Sequence, residues 1–279
     1  MTGNGPFKIP DHVQRSVTPL AQRLVLDRRG STVWDVETPA GRRAVKVGYR
    51  SQTHSWTAWA PAREGAILQE LGFGAVTYGV WDHGTWNVQP WHEGRDLQAR
   101  WEPYRTRDRA AVPPIRDAFA CARALGELHD KGYAHGDVQP AHFVLDAESA
   151  RATVIDLALA HGADVPERFD FPYRGCLVHY ESPEISRRVL EDGEAVPTQE
   201  ADVYGFGATL FMAATGWRHV AYPDDASRPE QRRAIVNGTH RPVNVAGVLG
   251  QLINDMLRYE PRDRPTMREV CKTLATDAA

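Results

Sequence analysis

The chain has 279 residues, 33 Lys+Arg against 36 Asp+Glu, a formal net charge of −3 and a hydrophobic content of 42%. That length holds one large domain or two lobes sharing a core, and the composition is that of a folded soluble protein rather than a disordered one. No apolar run reaches the roughly 18–20 residues that span a bilayer, the start of the chain has no signal-peptide pattern, and three scattered cysteines form neither a disulfide framework nor a zinc knuckle, so no membrane partner and a cytoplasmic setting are expected.

In chain order, an N-terminal extension over residues 1–19 precedes short runs rich in Val, Thr and Trp at 24–26, 32–37 and 43–48. These read as strands, separated by turn signals at 27–31 and at Thr38-Pro39-Ala40-Gly41. Pro61 to Leu71 carries Ile67, Leu68 and Leu71 at helical spacing, opening at Pro61 and closing at Gly72. Two further strands, Ala75 to Trp81 and Trp86 to Trp91, flank the turn Asp82-His83-Gly84-Thr85. The period then changes. Ile115, Phe119, Ala122, Leu125 and Leu128 form one helical stripe and Leu249, Leu252, Ile253, Met256 and Leu257 another. A Gly- and Ala-rich stretch after Asp202 predicts a buried helix between them. A strand-rich lobe over 20–93 followed by a helix-rich lobe over 94–277 is an α+β arrangement.

Charge is not polarised: residues 1–93 carry ten basic and eight acidic side chains, and the remainder 23 and 28. Neither part is the strongly basic body of a nucleic-acid binder, so no nucleic-acid partner is expected. Only four of the 33 basic residues are lysine, Lys8, Lys46, Lys131 and Lys272, which singles out Lys46 in the apolar strand Arg43-Ala44-Val45-Lys46-Val47.

Two segments join it. His135-Gly136-Asp137-Val138-Gln139-Pro140-Ala141-His142 is a polar loop running into an apolar strand, and Val154-Ile155-Asp156-Leu157-Ala158 places an acid at the end of another. Carboxylates 19 positions apart on two short strands suit one orienting a hydroxyl nucleophile while the other holds a metal on a polyphosphate.

On these residues the chain resembles the protein kinase family, most similar to bacterial eukaryotic-type Ser/Thr protein kinases, over residues 20–277. Lys46 stands where the family keeps its third-strand lysine, and Glu64 matches the helix glutamate that pairs with it. Asp137 matches the catalytic aspartate and Asp156 the metal-binding Asp of Asp-Phe-Gly. Ser182-Pro183-Glu184 stands for Ala-Pro-Glu, with Arg264 as the expected partner of Glu184. The resemblance implies the bilobal kinase fold, ATP with Mg²⁺ as cofactors, and transfer of the γ-phosphoryl group to a Ser/Thr hydroxyl of a protein or peptide substrate. Asp137 would be catalytic, Lys46 and Glu64 would serve the phosphates, and backbone around Trp91 and His92 would meet the adenine.

Departures from the pattern shape the expectation. Leu26, Arg28 and Ser31 occupy the glycine positions of the phosphate-covering loop, with only Gly30 nearby. His142 stands five positions after Asp137, where the family has a metal-binding asparagine; an imidazole suits Mn²⁺ better than Mg²⁺, and it could instead brace the loop. Gly136 replaces the arginine that reads a phosphorylated activation loop, Gln139 a phosphate-contacting lysine, and Leu157-Ala158 the Phe-Gly pair. Two alternatives therefore stand beside the kinase: a pseudokinase acting as a nucleotide- or partner-binding module, and a small-molecule phosphotransferase. Trp56 and Trp59, between Lys46 and Glu64, are read either as packing under a loop or as a partner-docking surface.

Overall fold

Alternation of Val and Trp with polar residues builds an antiparallel sheet from β1 (Ala21–Arg28), β2 (Ser31–Thr38), β3 (Gly41–Tyr49), β4 (Thr77–Trp81) and β5 (Gly84–Pro90), in the order β1-β2-β3-β5-β4, preceded by the helix α1 (Asp11–Val17). The computed structural model describes residues 8–51, 55–106, 113–147, 151–162, 164–238 and 240–278; residues 1–7 of the expected N-terminal extension lie outside them. The chain divides into two compact units, Met1–His92 with Ala163–Phe171, and Glu93–Gly162 with Pro172–Ala279.

In the first unit β1 is longer than the run at 24–26 suggests. Its residues are almost all exposed, so it carries little hydrophobic alternation, and its pairing with β2 defines it instead. The sheet has two unlike faces. One is apolar: Val36, Val45, Val47 and Val88 are buried there together with Ile9 and Val13, which brings α1 onto the sheet. On the opposite face lie Lys46 and its cross-strand neighbours Val33 and Asn87. The helix α2 (Ala60–Leu71) starts with Pro61 in its first turn and ends at Gly72 in the left-handed conformation, as the sequence spacing predicts.

The unit takes back Ala163–Phe171, part of the sequence-assigned C-terminal lobe. The cause is aromatic and ionic: Phe169 is buried against Tyr78, and Asp170 pairs with Arg63 of α2 at 3.1 Å. The Phe171 ring lies 5.3 Å from Trp56, which sits in a 3-10 turn at Ser55–Ala58. Trp59 is the residue preceding α2. Trp56, read as either packing or docking, therefore makes an in-chain aromatic contact while remaining 37% exposed.

The second unit opens with β6 (Arg95–Asp96), α3 (Leu97–Thr106) and α4 (Ile115–Asp130). The strands β7 (Phe143–Leu145) and β8 (Ala152–Val154) complete a small antiparallel sheet of order β6-β7-β8. Then follow α5 (Pro183–Asp192), α6 (Gln199–Thr215), α7 (Arg228–Asn237), α8 (Gly247–Met256) and α9 (Met267–Ala278). The stretch after Asp202 is the buried helix expected: Val203, Phe206 and Leu210 of α6 are all inside. Asp117 on α4 is buried because it accepts from Trp101 Nε1 and Arg100 Nε, both at 3.2 Å.

Candidate functional site

Lys46 projects from β3 and donates to Glu64 Oε1 at 2.7 Å, with Glu64 1% exposed. A buried carboxylate persists when it is paired and hydrogen-bonded, and α2 delivers Glu64 to the one lysine in the sheet.

The phosphate-covering loop takes a different form from the family pattern. Arg29 and Gly30, with φ of +53° and +90°, close a two-residue hairpin turn between β1 and β2. Tyr49 N–H donates to the Gly30 carbonyl at 2.8 Å, and a Cβ on Gly30 would lie 2.4 Å from Thr57 Oγ1. The hairpin tip is thus fastened to the end of β3. At the other end of the sheet, Trp91 N–H donates to the Arg42 carbonyl at 3.2 Å and Arg42 lies over the Trp91 ring. That commits the Trp91 N–H in the chain and leaves His92 as the candidate adenine donor, since Pro90 has no N–H.

In the second unit, Asp202 at the start of α6 organises the loop that bears Asp137. Its carboxylate accepts from the backbone N–H groups of His135, at 2.5 Å, and Gly136, at 2.9 Å. Gly136 has φ of +75°, and a Cβ there would meet the Leu159 carbonyl at 2.6 Å. The backbone thus calls for glycine here, independent of any phosphate-reading role the family gives that position. The Asp137 carboxylate accepts from Gln139 Nε2 at 3.0 Å and faces Leu177 N–H at 3.5 Å. Gln139, noted in the sequence as a lost lysine, is an amide donor to the very carboxylate it neighbours.

The donor roles of the two histidines of this loop follow by elimination. Asp137 N–H donates to His135 Nδ1 at 3.1 Å, so His135 Nε2 carries the proton that bonds the Ile155 carbonyl, also at 3.1 Å. Burial, then the neighbouring His142, pushes the His135 pKa down and keeps it neutral. His142 Nδ1 lies 2.9 Å from the Asp137 carbonyl and must donate to it. Its Nε2 lies 3.3 Å from Asp156 Oδ2. His142 braces the loop, one of the two readings the sequence offered, and sets its other ring nitrogen beside Asp156. Asp156 itself is left-handed, φ 65° and ψ 60°, a conformation uncommon for a non-glycine residue.

Among the described residues no group of three or more His, Cys, Asp and Glu could hold a metal. His142 and Asp156 would supply two ligands. An ion held there would complete its shell from phosphate oxygens and water, as a nucleotide-bound divalent ion does. The donor set fits that ion, and the imidazole biases it toward Mn²⁺.

Further along, Arg264 clamps Glu184 through two bonds of 2.7 and 2.8 Å, as the resemblance implies. A second clamp had no sequence signal. Arg232 of α7 donates to both oxygens of Glu181, at 2.7 and 3.0 Å, and to the Arg174 carbonyl at 3.0 Å. Glu181 Oε2 also accepts from Cys176 N–H at 3.1 Å, and Ser186 Oγ donates to Oε1 at 2.7 Å.

A lysine–glutamate pair in a five-stranded unit and an Asp-bearing loop in a helical unit together define the protein kinase class. The Protein kinase domain family matches residues 114–274, more than half of the chain, and the chain belongs to that family. Among its relatives, a probable serine/threonine-protein kinase of Dictyostelium discoideum is 29% identical over 57% of this chain and 9% of its own length. Serine/threonine-protein kinase mos of Patiria pectinifera is 32% identical over 50% and 39%, and Kinase suppressor of Ras B of Caenorhabditis elegans 26% identical over 54% and 30%. This chain thus spans well under half of these curated relatives. All three are eukaryotic, so they lend nothing to the narrower likeness to bacterial kinases. In structure it is similar to the Cydia pomonella granulovirus kinase PK-1, with a TM-score of 0.65 and 17% identity over 94% of this chain and 96% of that one, which shows the fold. Among the described residues, no helix is long and apolar enough to cross a membrane.

Proposed function

We propose that this chain is an ATP-dependent kinase that transfers the γ-phosphoryl group to a Ser or Thr hydroxyl of a protein or peptide. The observation that carries the reading is His142 set between Asp137 and Asp156. One imidazole fixes the loop of the first carboxylate and sets its other nitrogen beside the second, an arrangement suited to sharing a divalent ion. Lys46, held by Glu64, is the point charge for the α- and β-phosphates. Asp156 and His142 would hold Mg²⁺ or Mn²⁺, which neutralises the polyphosphate. Asp137, oriented by Gln139, accepts a hydrogen bond from the acceptor hydroxyl and aligns it with the γ-phosphorus. No covalent intermediate is needed; catalysis is positioning and charge neutralisation.

The pseudokinase reading keeps one specific support, the fastened two-residue hairpin in place of a glycine-rich loop. Nucleotide titration with Mg²⁺ and then Mn²⁺, read as a thermal shift, tests the proposal first, because a ligand of the native state raises its apparent stability. Stabilisation by ATP with phosphate transfer to a protein acceptor supports the kinase. Stabilisation without transfer supports the pseudokinase, and no stabilisation by any nucleotide overturns both nucleotide readings.

A further inference from the structure

The side of β5 that faces α2 is polar. Thr85, Asn87 and Gln89 alternate with Trp86 and Val88, yet Thr85 and Asn87 are wholly buried and Gln89 is 6% exposed. Buried polar groups need partners, and here each bonds α2, the turn before it, or the next rung. Thr85 Oγ1 donates to the Ala58 carbonyl at 2.7 Å and accepts from Ala62 N–H at 3.2 Å. Gln89 Nε2 donates to Asn87 Oδ1 at 3.3 Å.

Asn87 is the rung that matters for the site. It lies directly across from Lys46 in the β3–β5 register, on the same face, with Glu64 reaching both. Its amide spends one N–H on the Pro61 carbonyl, at 2.8 Å, and the other on Glu64 Oε2, at 3.0 Å. Lys46 takes the other oxygen of that carboxylate. Attraction between an ammonium and a carboxylate is weakly directional, whereas a second donor on the opposite oxygen fixes the carboxylate plane. Because the amide is neutral, it orients Glu64 without competing for its charge.

We infer that Asn87 is a positioning residue: it holds the Glu64 carboxylate and the first turn of α2 to β5, and so sets where Lys46 presents its ammonium. This rests on the reading of Lys46 as the phosphate-binding cation only for its consequence, not for its geometry.

The test uses the full chain and reads Lys46 directly. Acetylation by an activated ester is followed by peptide mass spectrometry, with the exposed Lys131 and Lys272 as internal controls. In Asn87→Leu the carboxylate loses its second donor, so Lys46 should acetylate severalfold faster while both controls stay unchanged. ATP affinity should weaken severalfold over the same comparison. Asn87→Thr keeps strand preference and one donor, and it should give an intermediate rate; it decides the matter if the leucine variant does not fold. Unchanged Lys46 labelling in a folded variant, or equal acceleration at all three lysines, overturns the inference. A wild-type protein that binds no nucleotide, but whose Lys46 labelling still depends on Asn87, would uphold the positioning role and remove the nucleotide reading.

Discussion

Arg232 and Glu181, 51 positions apart, meet in a two-pronged pair in which the glutamate side chain is 0% exposed and the arginine 8%. Through Cys176 N–H and the Arg174 carbonyl the same pair fixes the segment that passes beside Asp137. The guanidinium of Arg232 is thus an in-chain cation that holds this segment at both Glu181 and the Arg174 carbonyl.

Breaking that pair from one side leaves a buried charge without a partner, which typically costs about 3–5 kcal/mol. Arg232→Met should therefore shift the urea midpoint far more than the double variant Arg232→Met/Glu181→Gln, in which the amide oxygen can accept from Cys176 N–H while its NH2 donates to Ser186 Oγ. Equal midpoints in the two would show that the charge is not what matters.

Asp137→Asn keeps the size of the side chain but removes its negative charge and replaces one acceptor oxygen with a donor NH2. Phosphate transfer should fall by about 10²–10⁴-fold, with the nucleotide-induced thermal shift unchanged. Equal turnover in variant and wild type would take the catalytic role away from Asp137.

His142→Asn exchanges an imidazole nitrogen for an amide oxygen opposite Asp156. The wild type should gain more stability from ATP with Mn²⁺ than with Mg²⁺, and the variant should reverse that order. An unchanged order of metals in the thermal shift would reduce His142 to the brace on the Asp137 carbonyl.

The 163–171 segment offers a contrast between packing and charge. Phe169 is 1% exposed, so Phe169→Ala should destabilise the chain by about 3–5 kcal/mol. The Asp170 side chain is 55% exposed, so loss of its pair with Arg63 in Asp170→Ala should cost about 0–1 kcal/mol in a denaturant melt.

His219 sets an acid limit. Burial, with the nearby His240 and Arg241 adding to it, lowers its pKa from 6.5 to about 3. It packs against Tyr204, Phe211 and His240. The unfolded chain binds a proton that the native state refuses, so this contribution is whole above pH 6.5 and is lost as pH falls from there toward 3. His219→Phe should flatten the stability profile over that window, measured by denaturant melts at successive pH values.

Much of the site was legible because its parts sit in short local motifs. Lys46 in an apolar strand, Glu64 on a helix bounded by Pro61 and Gly72, and Asp137 and Asp156 beside strands each carry their own neighbourhood. What escaped is non-local. Nothing near Glu181 or Arg232 announces a pairing across 51 positions, and the return of Phe169 and Phe171 to the first unit depends on Tyr78 and Trp56 being there to receive them. The β5 run was visible as a strand, but nothing in its sequence shows that its polar rungs lie under α2. That His142 Nδ1 donates is set by a backbone carbonyl, which no side-chain pattern encodes.

Residues 1–19, read from sequence as an extension, contain Ile9 and the helix α1 with Val13, which complete the valine face of the sheet. A recombinant chain begun at residue 20 would retain every residue assigned to phosphate handling and yet expose Val36, Val45, Val47 and Val88 together. Such a face favours self-association. Poor solubility of the shortened protein would then reflect a missing cover, and a short apolar helix supplied in trans should restore it.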